Sequence, residues 1–454
     1  MLTTSKKVDA TRGPLIPLII SFVIPLILTT MLQQLFNAVD IAVLGNMADT
    51  TAVASVGATS TIIHLMIDAF VGISSGAKIV LSRLFGKDDK QELKRTIDTS
   101  LIVAVAFGII IAVAGFFLAP VFLNVTECPP ECIDSATLYI RIYVMAAPAI
   151  LLYNYGSAIL TSSGDSRRPL YYAIASGLLN VSLNIVLCFL LKEKVAAVAI
   201  ATAASQVLAA TLMILRLHRL EGVLKVRLTK LRFHFHAFSQ LMRFGVPLAL
   251  QTLVYPLANL QIATAINSYG SVCMAGNSAA NTMHQLTASF RTAFGTATAT
   301  FMGQNLGAEK PERVRASLFH NIWMCLALCL PISFLEWALG PLWLQIFLGQ
   351  DTAAIEFAMI RVAILNSYTF FLLMNTVLGN AIQAFGYPVF STVNAVAWVL
   401  GFRIFWMAVI YPRYTSYGSL ITCFGVSYIL TFVCNAVIIS VLYLRYRKGK
   451  YKRL

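Results

Sequence analysis

The sequence predicts an all-α membrane protein: twelve transmembrane helices in two six-helix bundles related by pseudo-two-fold symmetry. Three observations carry this. Of 454 residues, 58% are hydrophobic and 12% charged, well below the roughly 25% charged residues of soluble domains. Apolar stretches of 20 or more residues recur along the chain, long enough to cross hydrocarbon as helices. Polar landmarks repeat at offsets near 219–222 residues, so the chain reads as two related halves.

The spans fall near 14–45, 52–83, 96–123, 136–163, 168–191, 195–218, 240–268, 272–304, 315–346, 354–385, 389–411 and 417–444. The N-terminus enters a span too long for a signal-peptide apolar region, which argues against a cleaved leader. Lys6, Lys7 and Arg12 precede span 1. Arg83, Lys87, Lys90, Lys94 and Arg95 follow span 2, and Arg167 and Arg168 follow span 4. Seven basic residues from Arg216 to Arg243 surround the central linker. Lys310, Arg313 and Arg315 follow span 8, and six more occupy the tail. About 26 of the 34 Lys and Arg thus lie on one side. The opposite loops carry Asp49, Glu127, Glu131, Asp134 and Asp351. The positive-inside rule then puts both termini in the cytoplasm of a bacterial inner membrane. The linker, 219–239, mixes apolar and basic residues, fitting either a segment lying on the anionic inner leaflet or a solvated tether.

The halves, 1–218 and 240–454, align by their punctuation. Pro25 matches Pro247, Gly86 matches Gly307, Pro120 matches Pro341, Asn154 matches Asn375, and Gly164 matches Gly386. Six spans per half return the chain to the same face, so the repeats are parallel about an axis along the membrane normal. In such folds, substrates bind near the midplane between halves that rock to alternate access.

The formal charge of +15 does not indicate nucleic acid, because the basic residues sit in short loops between spans. Most of the eight cysteines lie inside spans, as small apolar residues. Cys128 and Cys132 share one loop, where a local disulfide is open. No phosphate-cradling loop, zinc-binding helix or nucleophile elbow is present, so an enzyme is not expected, and no cofactor. Uphill transport would then draw on an ion gradient, H⁺ or Na⁺.

The candidate ion site centres on Asp40. An acid within an apolar span usually faces the bundle interior and marks an ion or proton path. Gln33, Asn37 and Asp40 are spaced i, i+4, i+7 and share a helix face. Asn180 and Asn184 share a face of span 5, and Thr202 and Ser205 lie among small residues in span 6. Asp40, Asn180, Asn184 and Thr202 could together ring a small cation or hold a proton-bearing carboxyl; singly, the amides could simply tie helices together. Candidate substrate contacts are Gln33, Asn37, Asn154, Gln251, Tyr255 and Asn259. The second half does not repeat the acid: Tyr255 falls opposite Gln33, and Arg403 stands about where Asn184 falls. His64 and Asp68 could pair, with Asp68 the rival coupling acid. Arg141 and Arg361 read as interface anchors, Glu336 and Glu356 as solvated. Arg291 has no role in this scheme.

The stretches GPLIPLIISFVIPLILTTMLQQLFNAVDIAVLG, GISSGAKIVLSRLFGKDD and FMGQNLGAEKPERV make the chain resemble the multidrug and toxic compound extrusion (MATE) family over nearly its whole length. The resemblance implies two six-helix bundles in a V around a cleft, exporting cationic or amphipathic organic compounds against H⁺ or Na⁺. It implies an ion site with its acid at Asp40, polar positions at Asn180 and Asn184, and a hydroxyl at Thr202. The partners expected are a small organic substrate and membrane lipids, with the chain a monomer. There are departures: Asn184 stands where some members have an acid, Tyr255 where one branch has a glutamate, and span 10 lacks a mid-membrane acid. A saccharide-lipid flippase of the same wider superfamily is the alternative, kept open by Arg291 and Arg403.

Overall fold

The computed structural model describes residues 8–47, 50–125 and 129–448. Among them all regular structure is helical. Among the described residues nine helices are long and apolar enough to cross a membrane, or eleven if two bent pairs each count as one span. The twelfth is Ser271–Gly307, 37 residues long. Asn277, Asn281, His284 and Arg291 interrupt its apolar surface, which is why it escapes a hydropathy test.

Spans 1–3 are Leu15–Met47, Thr50–Lys87 and Lys90–Val125. Span 4 is Ile133–Met145 with Ala147–Ser162, bent by 45°. Spans 5 and 6 are Arg167–Leu190 and Lys194–Arg219; spans 7, 8 and 9 are Phe235–Asn267, Ser271–Gly307 and Pro311–Ala338. Span 10 is Thr352–Ser367 with Thr369–Ala384, bent by 54°. Span 11 covers Pro388–Arg413, with two π-helical stretches, and span 12 is Tyr417–Arg447. Gly340–Leu348 forms a short helix of its own, so the ninth predicted span is split at Leu339.

The repeat is visible in the backbone. Gly164 and Gly386 have φ of +89° and +88°, in the left-handed region that glycine enters without steric penalty. The non-glycine residues Asp88 and Glu309 likewise share φ of +54° and +56°.

The chain forms two compact units. One comprises Met1–Asp9 and Ile24–Ala249, the other Ala10–Val23 and Leu250–Leu454. The change of unit falls beside Pro25 in span 1 and just after Pro247 in span 7. In the first unit span 4 is central, packing on spans 2, 3 and 6, and its Leu151, Tyr155 and Ile159 are fully buried. Hydrocarbon offers little hydrophobic drive for helix association, so close backbone approach matters. A Cβ on Gly76 would lie 2.4 Å from the Gly245 nitrogen, and one on Gly108 2.3 Å from the Pro148 Cα. Ile79 and Val80 of span 2 pack on Phe244 and Leu248 of span 7. Ile110 and Phe117 of span 3 point outward, 60% and 71% exposed, the arrangement lipid contact requires.

The linker is docked and not a free tether. Leu224 and Val226 are buried, and Lys94 donates to the Lys225 carbonyl at 2.8 Å. The His234 amide donates to Thr99 Oγ1 at 3.1 Å.

In the second unit, residues before span 1 are tied to span 8 and the start of span 9. The Ala10 amide donates to Gln304 Oε1 at 3.1 Å, and Asn305 and Arg313 donate to the Ala10 carbonyl. Phe22 packs edge-on against Phe301. Two expectations fail here. Arg361 is only 7% exposed, as is Glu336. Arg361 is instead held by Asn277 and Asn281 of span 8 and the Phe424 ring of span 12, and Glu336 lies against span 8 near Thr287.

Candidate functional site

The site forms in the first unit where spans 1, 5 and 6 meet. Asn180 and Asn184 lie one turn apart on span 5, so one helix face presents both amides to the same partner. Asn184 is fully buried and Asn180 nearly so. Asn184 Nδ2 donates to Asp40 Oδ1 at 2.5 Å and to Asn180 Oδ1 at 3.2 Å. Asn180 Nδ2 reaches Thr202 Oγ1 at 3.4 Å. Asn184 bonds the Asp40 carboxyl directly, and Thr202 and Asn180 stand close beside it. The four candidate ion residues are thus brought together, on three helices, around one carboxylate.

Small residues make this approach close. A Cβ on Gly177, also on span 5, would fall 1.7 Å from Phe36 Cε2. Phe36 precedes Asp40 by one turn, so Gly177 lets span 1 lie against span 5 at the height of the site.

The donor arithmetic is incomplete in an informative way. Asn184 Oδ1 is buried with no hydrogen-bond partner. A buried amide oxygen left unmatched costs on the order of 1–3 kcal/mol. Beside it stand a carboxylate, a second amide oxygen and a hydroxyl oxygen. Hard oxygens of this kind suit a small monovalent cation or a proton in transit. Among the described residues no group of three or more His, Cys, Asp or Glu could hold a metal ion.

Tyr139 was not anticipated. It is buried on the first half of span 4, within electrostatic reach of Asp40, and stacked with Tyr143 at 6.4 Å between ring centroids. The available signal is the Tyr139–Tyr143 pair, one turn apart on the same helix.

The candidate substrate contacts are dispersed. In the first unit Gln33 is exposed, and Asn154 donates to the Ile150 carbonyl of its own helix at 2.9 Å. The side chains of Asn37 and His64 lie outside the described residues, as does Cys128. Asp68 is half-buried on span 2. In the second unit Gln251 Oε1 accepts from Gln383 Nε2 and Ser391 Oγ, each at 3.2 Å. Tyr255 is 38% exposed. Asn259 Oδ1 accepts from Arg403 at 2.7 Å. Arg403 also donates to Ser427 Oγ and lies over the Phe424 ring, 4.3 Å from its centroid. At the repeat-related place, the second unit therefore holds a buried cation instead of a carboxylate.

A family model described as MatE matches the chain twice, over residues 25–186 and 247–408. Two probable multidrug resistance proteins of Bacillus subtilis strain 168 are similar in sequence. YpnP is 25% identical over 77% of this chain and 78% of its own length. YoeA is 27% identical over 67% of each. A solved MOP superfamily transporter from Pyrococcus furiosus superposes with a TM-score of 0.88 at 20% identity, covering 99% of this chain and 100% of that one. That likeness concerns the fold. Two matches in register with the internal repeat, on an all-helical membrane fold, show that this chain belongs to the MatE family of transporters.

Proposed function

We propose that the chain is a secondary active antiporter exporting organic, often cationic or amphipathic, compounds in exchange for H⁺ or Na⁺. Asp40 takes the ion, and Asn180, Asn184 and Thr202 shape its seat. The single observation that carries this reading is the Asp40 carboxyl, bonded by the Asn184 amide with Asn180 and Thr202 close by, beside an unmatched amide oxygen. The names of the Bacillus relatives support multidrug substrates.

The physical logic is exchange at one carboxyl. Occupied by H⁺ or Na⁺, its charge is neutralised and the surrounding dipoles relax around a near-neutral centre. Empty, it leaves a negative charge in a low-dielectric bundle, which favours a different packing of spans 1, 5 and 6. Alternating access by two bundles, residues 1–218 and 240–454, then couples that choice to the exposure of an organic substrate. The chain works as a monomer in the bacterial inner membrane with both termini inside.

The test is efflux. Cells expressing wild type should extrude a lipophilic cationic dye and lose dye export when the ion gradient is collapsed. Export that persists at an unchanged rate without any gradient would overturn the proposal.

A further inference from the structure

The second unit carries positive charge that its own side chains do not balance. Arg403 and Arg361 are 2% and 7% exposed. Arg361 donates to Asn277 Oδ1 at 2.8 Å and Asn281 Oδ1 at 3.4 Å, and its Nε is buried without an acceptor. Its guanidinium and that of Arg403 lie over the same Phe424 ring, 5.3 and 4.3 Å from the centroid. Arg291 of span 8 donates to Thr376 Oγ1 at 3.2 Å. His284 lies within electrostatic reach of Arg291 and Arg361. Every hydrogen-bond acceptor in this set is neutral. Among the described residues, none of the three arginines is ion-paired with a carboxylate. Neutral amides and hydroxyls orient a guanidinium without cancelling its charge, and charges inside a membrane bundle are ordinarily paired.

One cavity in this unit is built to supply what is missing. Arg291, His284, Thr287, Ser333 and Thr369 line it, with apolar neighbours including Leu372 and Leu373. Its free volume is about 20 Å³, room for one water or a monatomic ion. Glu336, whose Oε2 is buried without a hydrogen-bond partner, lies near Thr287 and is not part of the lining. Thr287 donates to the His284 carbonyl at 2.9 Å and Thr369 to the Leu365 carbonyl at 3.4 Å. Arg291, Ser333 and the His284 ring N–H are left as the donors facing a guest. A cation is disfavoured beside the guanidinium, and a bulky organic anion does not fit the volume.

We propose that this cavity binds a halide-sized monovalent anion, chloride in the cell, held by Arg291 with Ser333. The bound anion compensates the arginine cluster and fixes the packing of spans 8, 9 and 10.

The test uses the purified full-length protein in detergent, in sodium gluconate at fixed pH and ionic strength. Gluconate is replaced stepwise by chloride or bromide while the thermal unfolding midpoint is read. A saturable rise with either halide is expected. Arg291→Gln should weaken its half-saturation at least 10-fold, Arg291→Lys should restore most of it, and Arg413→Gln, on the exposed surface, should leave it unchanged. Should Arg291→Gln not fold, Ser333→Ala should weaken the half-saturation several-fold. A bromide peak beside Arg291 in anomalous scattering would agree with the assignment. It is overturned by a wild type indifferent to halide, by a response unaltered in Arg291→Gln or Ser333→Ala, or by a response confined to carboxylate or phosphate compounds.

Discussion

Asp40→Asn tests the ion site with the least disturbance. The two side chains are nearly equal in volume, so the packing of spans 1, 5 and 6 is kept. The oxygen that remains still accepts from Asn184, now without charge. That exchanges a charge-assisted bond of about 1.5–3 kcal/mol for a neutral one of about 0.5–1.5 kcal/mol, while a desolvated charge is also removed. The two changes oppose each other, so the folded protein should differ from wild type by no more than about 1 kcal/mol. The ion loses far more. A monovalent cation about 4 Å from a carboxylate gains roughly 4 kcal/mol at an effective dielectric of 20. At about 1.4 kcal/mol per decade, its loss weakens binding by close to 1000-fold. The assay is dye export from proteoliposomes under an imposed pH or Na⁺ gradient, with protein amounts matched and unfolding midpoints recorded. The expected result is export that no longer accelerates when the gradient is applied, in a protein of normal stability. A gradient-driven rate equal to wild type would refute the assignment and pass the role to Asp68.

Other perturbations follow from the same geometry. Asn184→Ala removes bonds to Asp40 and Asn180 in a fully buried place; we expect about 2–4 kcal/mol lost in unfolding and a weakened ion response, with drug binding little changed. Gly177→Val drives a side chain into Phe36; about 1–3 kcal/mol of destabilisation and loss of ion-driven export are expected, and a wild-type profile would show that the Phe36 contact is unimportant. Lys94→Ala releases the Lys225 carbonyl and leaves Asp98 without its cation; limited proteolysis should then cut near 222–230 faster than in wild type. The Glu92 backbone amide donating to Asp89, chiefly, together with Lys87 beside it, holds that carboxyl below its ordinary value of 3.8. Its folded affinity for a proton is thus lower than its unfolded one. Its support for the start of span 3 is present above pH 3.8 and fades as pH falls through the lower folded value. Hydrogen exchange at Gln91–Leu93 should accelerate in that acid window, and Asp89→Ala should show the faster exchange already at neutral pH.

Sequence made the helices and their pairing legible because lipid imposes unbroken apolar runs and because the repeat supplies two readings of each landmark. Pro25 and Pro247, or Gly164 and Gly386, are recognisable as pairs in the sequence itself. Asp40 and its amides were legible for a related reason: in an apolar helix, polar residues one turn apart are rare enough to stand out. What stayed hidden depended on contacts between helices. Arg361 and Glu336 read as surface groups because their partners, Asn277, Asn281 and Thr287, lie on span 8, far away in sequence. Tyr139 was missed because a tyrosine in a membrane helix is ordinary as an interfacial anchor, and only tertiary packing turns it toward Asp40.

The change of unit within spans 1 and 7 bears on how the protein can be made. A fragment ending before residue 219 would lack Phe244, Leu248 and Gly245, which fill the seam along span 2. A fragment beginning at the linker would lack Ala10 and Phe22, the residues that anchor to Gln304 and Phe301. Neither piece is a self-sufficient product. The first six helices emerging from the ribosome must therefore wait, with an unfilled groove beside span 2, until the seventh has been synthesised.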